Sequence, residues 1–332
     1  VKAVTASAPA RVDLAGGTLD LWPLYLLHEG SCTVNFAIDK RARARVAGID
    51  GGFEFFSRDL GFRRRFESAS EARNSPESGL AAEAALAMGC PTGVRIEVES
   101  AVPFGSGLGG SSALCVAIVS ALARAAGRAL SVEECVVFCR DIETRLLGVP
   151  AGTQDYEAAL RGGFNVIAYS PGQTSVTRPE LDLETFGRHL ILFDSGRAHS
   201  SGANNWDVLR ARLDGDRAVA EALNAVRDAA RDVAAAAGAR DFEGLGRGLA
   251  REWEARRRLS PKIETPALRE AARAGIAAGA WGAKACGAGG GGVMVLLAPE
   301  GKRAAVADAL SEVSGGALFE ARLENVGLMF ET

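Results

Sequence analysis

The stretch Pro103-Phe104-Gly105-Ser106-Gly107-Leu108-Gly109-Gly110-Ser111-Ser112-Ala113 constrains this chain more than any other. It follows an alternating run, Gly93 to Val102, that reads as a strand, and it opens an Ala-rich helical stretch from about Ser111 to Ala126. Glycines let backbone approach an anion closely, and the first turn of a helix offers unpaired N–H groups at the positive end of its dipole. Ser111 and Ser112 add hydroxyls suited to a phosphate or its metal. Gly105, Gly107 and Gly110 also satisfy G-x-G-x-x-G, but no second strand carrying an acid follows about 20 residues later, as a dinucleotide site needs. A P-loop places Lys before its hydroxyl residue, and Gly110 stands there instead. The plain alternative is a glycine turn between strand and helix; the serine pair favours phosphate binding.

Composition narrows the remaining classes. Of the 332 residues, 48% are apolar and 24% charged, a globular profile. No apolar run reaches the roughly 18 residues of a membrane span, and Val1 to Ala10 lacks the apolar centre of a signal peptide. The six Cys form no C-x-x-C pair and read as buried thiols, so a cytoplasmic protein is expected. A formal charge of −3 gives no bulk attraction to nucleic acid or membrane. Arg41, Arg43 and Arg45 alternate as on a strand with one wet face, and Arg63 to Arg65 suit a solvated sheet edge. Three His argue against a multi-His metal site and a Ser-His-Asp enzyme, leaving carboxylates, hydroxyls, Arg, Lys and backbone for chemistry.

Along the chain, Val34 to Val46 alternates as a strand and Gly79 to Met88 is helical. A helix from about Val132 to Leu147 starts at a Ser131/Glu134 capping box and ends before Pro150. Another begins near Thr153 and stops at Gly162-Gly163, before a strand from Phe164 to Tyr169. Ser170 to Asp182 reads as a linker. Beyond it come a strand at His189 to Phe193 and long helices over about Ala203 to Arg258, with breaks expected at Gly238 and near Gly248. A helix at Pro266 to Ala278, a strand at Val293 to Leu297, a helix at about Lys302 to Val313 and two last strands follow. The expected architecture is α+β in two halves, residues 1–180 and 181–332, with the site in the cleft between them.

Two further stretches join the glycine loop: Ala8-Pro9-Ala10-Arg11-Val12-Asp13-Leu14-Ala15-Gly16-Gly17-Thr18-Leu19-Asp20 and Gly282-Ala283-Lys284-Ala285-Cys286-Gly287-Ala288-Gly289-Gly290-Gly291-Gly292. In this order the three resemble the signature motifs of the GHMP small-molecule kinases, which include galactokinase, homoserine kinase and mevalonate kinase. Within that superfamily the likeness is greatest to bacterial heptose-phosphate kinases acting at the anomeric hydroxyl. It rests on Ala15-Gly16-Gly17 leading to Asp20, on Gly152-Thr153-Gln154-Asp155 followed by Gly162-Gly163-Phe164-Asn165, and on Trp253 with the Arg256-Arg257-Arg258-Leu259-Ser260 run. Two departures stand out: Leu19 intervenes between Thr18 and Asp20, and Tyr156 replaces the usual Gln.

The resemblance implies a two-domain GHMP kinase fold, with an N-terminal domain like a ribosomal small-subunit protein and a ferredoxin-like C-terminal domain. It also implies ATP and Mg²⁺ as cofactors and a sugar or sugar phosphate as acceptor. Phosphate contacts fall to Gly105, Ser106, Gly107, Leu108, Gly109, Gly110, Ser111 and Ser112. Asp155 becomes the base for the attacking hydroxyl, with Arg11 beside it, and the alternative for Asp155 is a helix cap. Ser111 and Glu143 become Mg²⁺ ligands; the alternatives are a Glu143–Arg140 surface pair, or Asp141 as the ligand. Gly17, Asp20, Gly289 and Gly290 fall to the acceptor side, with a plain glycine hinge as the less favoured alternative for the last two. Lys284 is either a phosphate contact or an exposed Lys. Arg197, His199, Ser200 and Ser201 form a polar cluster that could meet a phosphorylated substrate. Other acceptors, galactose-like or mevalonate-like, are the enzymatic alternatives. A catalytically silent ATP and sugar sensor is the alternative of another class, and it predicts loss of Asp155, Glu143 or Arg11, all of which are present.

Overall fold

Val4–Ala15 and Cys32–Gly48 pair antiparallel along most of their length and form the axis of the larger sheet. The computed structural model describes residues 3–198 and 201–331. Residues Ala6 to Ala15 are buried on both faces, which explains why this strand lacks the apolar–polar alternation of a half-wet one. On one side of it lies Gly110–Ala125, a helix apolar nearly all round and buried accordingly. The sheet runs in the order Met329–Glu331, Val4–Ala15, Cys32–Gly48, Val94–Ser100, Phe53–Ser57 and Phe62–Phe66. Phe164–Ser170 pairs with the first residues of Cys32–Gly48 and carries Gln173–Thr177 beyond it. A second sheet has the order Ala317–Leu318, Leu190–Asp194, Val293–Leu297 and Gly282–Ala285. Helices Phe242–Arg256 and Pro266–Ala277 pack on it, and Arg217–Ala239 packs on Phe242–Arg256 and on the strands Val4–Ala15 and Cys32–Gly48.

Several expectations change. The presumed linker Ser170 to Asp182 is not one: Gln173–Thr177 is a strand of the first sheet, paired through Val166↔Thr177 to Ser170↔Gln173. Its polar composition reflects an exposed edge strand. The strand expected from His189 begins one residue later, because Leu183–His189 forms a helix capped by Asp182. The break near Gly248 is absent. Gly248 lies inside Phe242–Arg256, where a Cβ would stand 2.5 Å from Val233 Cγ2, so this glycine serves close helix packing. The helices are separated instead ahead of Asp216 and Asp241, whose carboxylates accept the N–H groups of Val219 (3.1 Å) and Gly244 (2.8 Å). The C-terminal half is not confined to the second sheet, since Thr5↔Glu331 to Ser7↔Met329 return the end of the chain to the first.

The two sheets meet around a buried charge cluster. Lys284, on Gly282–Ala285 of the second sheet, donates to Asp13 Oδ2 (2.8 Å) on the central strand of the first, and both side chains are fully buried. Glu252 accepts from Arg256 (2.6 Å) and lies 3.9 Å from Lys284. Arg256 reaches back to the Gly17 carbonyl (2.7 Å) and Thr18 Oγ1 (3.2 Å), while Glu252 accepts the Gly16 N–H (3.3 Å). Removing one member of such a cluster strands the others as uncompensated charges. Lys284→Met should therefore cost about 3–5 kcal/mol in urea unfolding. A loss below about 1 kcal/mol would show that the cluster does not hold the sheets together.

Candidate functional site

The glycine loop is fastened from both sheets. Arg11 donates its backbone N–H to the Leu108 carbonyl (2.9 Å), and Val293 donates to that of Ser106 (2.8 Å). Gly105, Gly107 and Gly109 all have φ near +70°, the left-handed region that favours glycine. Gly109 stands at the N-cap position of helix Gly110–Ala125, so the N–H groups of Gly110, Ser111 and Ser112 begin a helix with no carbonyl of the preceding turn to bind.

Arg11 and Asp155 come together at the rim of this loop. Arg11 is 5% exposed and donates from Nε to Asp155 Oδ1 (2.6 Å), and a second guanidinium nitrogen reaches the Gly107 carbonyl (2.5 Å). Burial opposes the charge on Arg11, but Asp155 and Asp13 beside it raise its pKa on balance. Asp155 keeps 21% of its side chain exposed. It lies in the first turn of Gln154–Arg161, behind the N-cap Thr153, so it is not the capping residue. A Cβ on Gly109 would stand 3.1 Å from Asp155 Oδ2, which makes this glycine part of the space in front of the carboxylate.

Glu143 is buried, and neither sequence alternative for it holds. Arg140 pairs with Asp141, which is 61% exposed. Glu143 instead continues the inner face of Val132–Leu147 set by Cys135, Cys139 and Ile142. Its Oε1 accepts from Ser111 (2.7 Å), and its Oε2 accepts from Ser112 (2.7 Å) and Tyr156 (2.5 Å). Desolvation raises its pKa against the pull of those three hydroxyls. Tyr156, fully buried, is a contact that the motif reading did not assign; its only signal was the departure from Gln.

Asp20 sits behind Asp155. The Gln154 N–H donates to its Oδ2 (3.1 Å), and a Cβ on Gly152 would fall 2.1 Å from the same oxygen, so only glycine admits the carboxylate there. Gly17 is similarly enclosed, by Asp13 Oδ2 and Gln154 Nε2. Leu19, the departure from the usual spacing, packs with Leu21 and Leu24 into the core of the second half.

The third motif meets the loop through Gly287, where a Cβ would lie 3.1 Å from the Gly107 carbonyl. Gly289 and Gly290 are brought against Ile263 and Asn204. The Gly290 N–H is taken by the Ile263 carbonyl (2.8 Å) and the Gly289 carbonyl by Asn204 Nδ2 (3.2 Å). Lys284 is neither exposed nor at the loop, being bound to Asp13. The Arg197 carbonyl accepts from Gly292 (2.7 Å), while His199 and Ser200 lie outside the described residues. No helix among the described residues is long and apolar enough to cross a membrane.

Residues 75–163 match the family of GHMP kinase N-terminal domains, and residues 219–314 match that of GHMP kinase C-terminal domains. A mevalonate kinase of Thermococcus onnurineus is 30% identical over 247 residues, 72% of this chain and 69% of that protein. The chain belongs to the GHMP kinases. This GHMP kinase is accordingly an ATP-dependent phosphotransferase with an alcohol group of a small molecule as acceptor. A D-glycero-alpha-D-manno-heptose 7-phosphate kinase of Campylobacter jejuni is 28% identical over 230 residues, 68% of this chain and 67% of that protein. The fold matches that of a D-glycero-D-manno-heptose 1-phosphate kinase from Bacteroides thetaiotaomicron with a TM-score of 0.79, at 22% identity and 99% coverage of both chains.

Burial and the neighbouring Asp155 charge push the Asp20 carboxyl up from 3.8 to about 6. A carboxyl whose folded pKa exceeds its unfolded one binds more protons when folded, so stability falls as pH rises through that window and stays low above it. Asp20→Asn should then stabilise the GHMP kinase at pH 7 by roughly 1–3 kcal/mol, with little gain at pH 4. Urea unfolding at the two pH values checks this. A gain no larger at pH 7 than at pH 4 would remove the ionised Asp20 as a source of instability.

Proposed function

We propose that this kinase moves the γ-phosphoryl group of ATP onto the anomeric hydroxyl of a heptose-phosphate-type sugar, with Mg²⁺. The carrying observation is Asp155 at the rim of the glycine loop with Asp20 behind it, the two joined through Gln154. In this reading the loop N–H groups and Arg11 hold the phosphate charge. Asp155 takes the acceptor's hydroxyl proton as the oxygen–phosphorus bond forms and the bond to the β,γ-bridging oxygen breaks, releasing ADP. Arg11 holds the Asp155 carboxylate in place through its Nε bond. Asp20 accepts hydrogen bonds from acceptor hydroxyls, a role suited to a polyhydroxylated ring and supported by the likeness to the two heptose kinases.

Glu143 and Ser111 fit a magnesium ion. They offer hard oxygen donors beside the loop, on a buried carboxylate that accepts from three hydroxyls. Magnesium held there would offset charge on the β- and γ-phosphates. A mevalonate-like alcohol is the second reading, favoured by the relative at 30% identity. Phosphoryl transfer measured across free and phosphorylated heptoses, galactose and mevalonate separates the two. Preference for mevalonate would overturn the sugar assignment.

Two variants test the roles within the site. Asp155→Asn should cut turnover by about 10²- to 10⁴-fold, the usual worth of general acid–base help, with nucleotide affinity nearly unchanged. Turnover within a few-fold of the unaltered enzyme would show that Asp155 is not the base. For Asp20, the comparison is kcat/KM for an acceptor and for its deoxy analogue. The unaltered enzyme should discriminate between them and Asp20→Ala should not, its loss on the true acceptor being on the order of 2 kcal/mol. Equal discrimination by both proteins would dismiss Asp20 as an acceptor contact.

A further inference from the structure

The hydrogen bonds at Glu143 are unevenly shared between its two oxygens. A carboxylate oxygen has about two lone-pair sites. Oε2 accepts from both Ser112 and Tyr156, so its sites are filled by protein. Among the described residues Oε1 accepts only from Ser111, which keeps one site open. The two ends also differ in setting. Ser112 and Tyr156 are buried, whereas Ser111 is exposed at the first turn of Gly110–Ala125. The filled oxygen therefore faces the core and the open one faces the loop.

Tyr156 owes its place to the helix that presents Asp155. Gln154–Arg161 packs its Tyr156, Ala158 and Ala159 face inward, while Asp155 remains partly exposed. One short helix thus carries the partly exposed Asp155 and, at the next position, a phenol bonded to Glu143. The phenol and the Ser112 hydroxyl together remove the torsional freedom that would let Glu143 swing both oxygens toward a cation.

We infer that Tyr156 is a positioning residue for the nucleotide-bound divalent cation, holding Glu143 so that it ligates through Oε1 alone, next to Ser111 Oγ. This inference rests on the reading of Glu143 and Ser111 as cation ligands, and the two can fail separately. Outer-shell hydrogen bonds to a metal-ligating side chain orient it, and their loss typically lowers metal affinity by about 10- to 100-fold. Because one hydroxyl, Ser112, still holds Oε2 when the phenol is removed, the lower end of that range is expected here.

The test uses Mn²⁺ as the probe, with free Mn²⁺ read by electron paramagnetic resonance in the presence of full-length enzyme and a non-hydrolysable ATP analogue. Tyr156→Phe keeps the buried ring and deletes only the hydroxyl, so it should fold with a similar Tm. It should weaken Mn²⁺ binding by roughly 10-fold while leaving metal-free binding of the analogue unchanged. Glu143→Gln should weaken Mn²⁺ binding as well, and adding Tyr156→Phe to it should cause no further loss, because the phenol acts only through that carboxylate. Weakening by Glu143→Gln with unchanged binding in Tyr156→Phe would overturn the role of Tyr156 alone. Unchanged binding in Glu143→Gln would remove the cation site itself. A Tyr156→Phe effect that persists in full in the Glu143→Gln background would show that the phenol acts through general packing, which also overturns the inference.

Discussion

The contact on which most of this molecule depends is the ion pair of Lys284 with Asp13, made with both side chains fully out of water. Neither charge survives burial alone, so the second sheet must present Lys284 where the first presents Asp13. That requirement joins the Val293–Ser106 bond and the return of Met329–Glu331 to the first sheet in setting the relation of the two halves. It also fixes the segment just beyond Asp13, because Glu252 and Arg256 hold the Gly16 N–H and the Gly17 carbonyl on the same cluster. Thr18 adopts a positive φ of 75° there, and its hydroxyl is bound by Arg256 and to Asn205. Asp20 is thus delivered to Gln154 by a backbone held through the Glu252 and Arg256 charges. Asp13, whose pKa Lys284, Arg256 and Arg11 together lower despite burial, stays ionised to anchor them.

A second ion pair, Arg11 with Asp155, divides the site by function. One residue, Val12, separates Arg11 from Asp13 on one strand, yet Arg11 serves the loop and its rim while Asp13 serves the join of the sheets. Residues of alternate parity would face opposite sides of a strand; these two share a face and differ only in how far along the strand they reach. One strand therefore couples the structural cluster to the chemical one, and the short helix Gln154–Arg161 closes the circuit through Gln154 to Asp20, Asp155 to Arg11 and Tyr156 to Glu143.

Much of this arrangement was legible in the sequence because it is local. The strand–turn–helix setting of the glycine loop, the Ser131/Glu134 capping box and the helix Val132–Leu147 follow from spacing alone, and the structure has all three. The motif order likewise brought out Arg11, Asp155, Ser111 and Glu143, which the fold gathers around one loop. What stayed hidden is long-range. Lys284 looked like a surface or phosphate-binding Lys because nothing near it in sequence announces Asp13. Glu252 and Arg256 are an ordinary i,i+4 pair until their burial is known. Gly248 looked like a helix break because the nearness of Val233 is a tertiary fact. The burial of Glu143 has a local signal: it falls on the apolar face defined by Cys135, Cys139 and Ile142, where a solvated carboxylate does not belong.

The central claim is a single direct transfer, with Asp155 taking a proton and forming no bond to phosphorus. The stereochemical course at the γ-phosphorus tests it most directly, using ATP made chiral there with sulfur and an oxygen isotope. One in-line displacement inverts the configuration, and inversion is the predicted result. Retention would require two displacements through a covalent phosphoenzyme, making Asp155 or another side chain a nucleophile and contradicting the account.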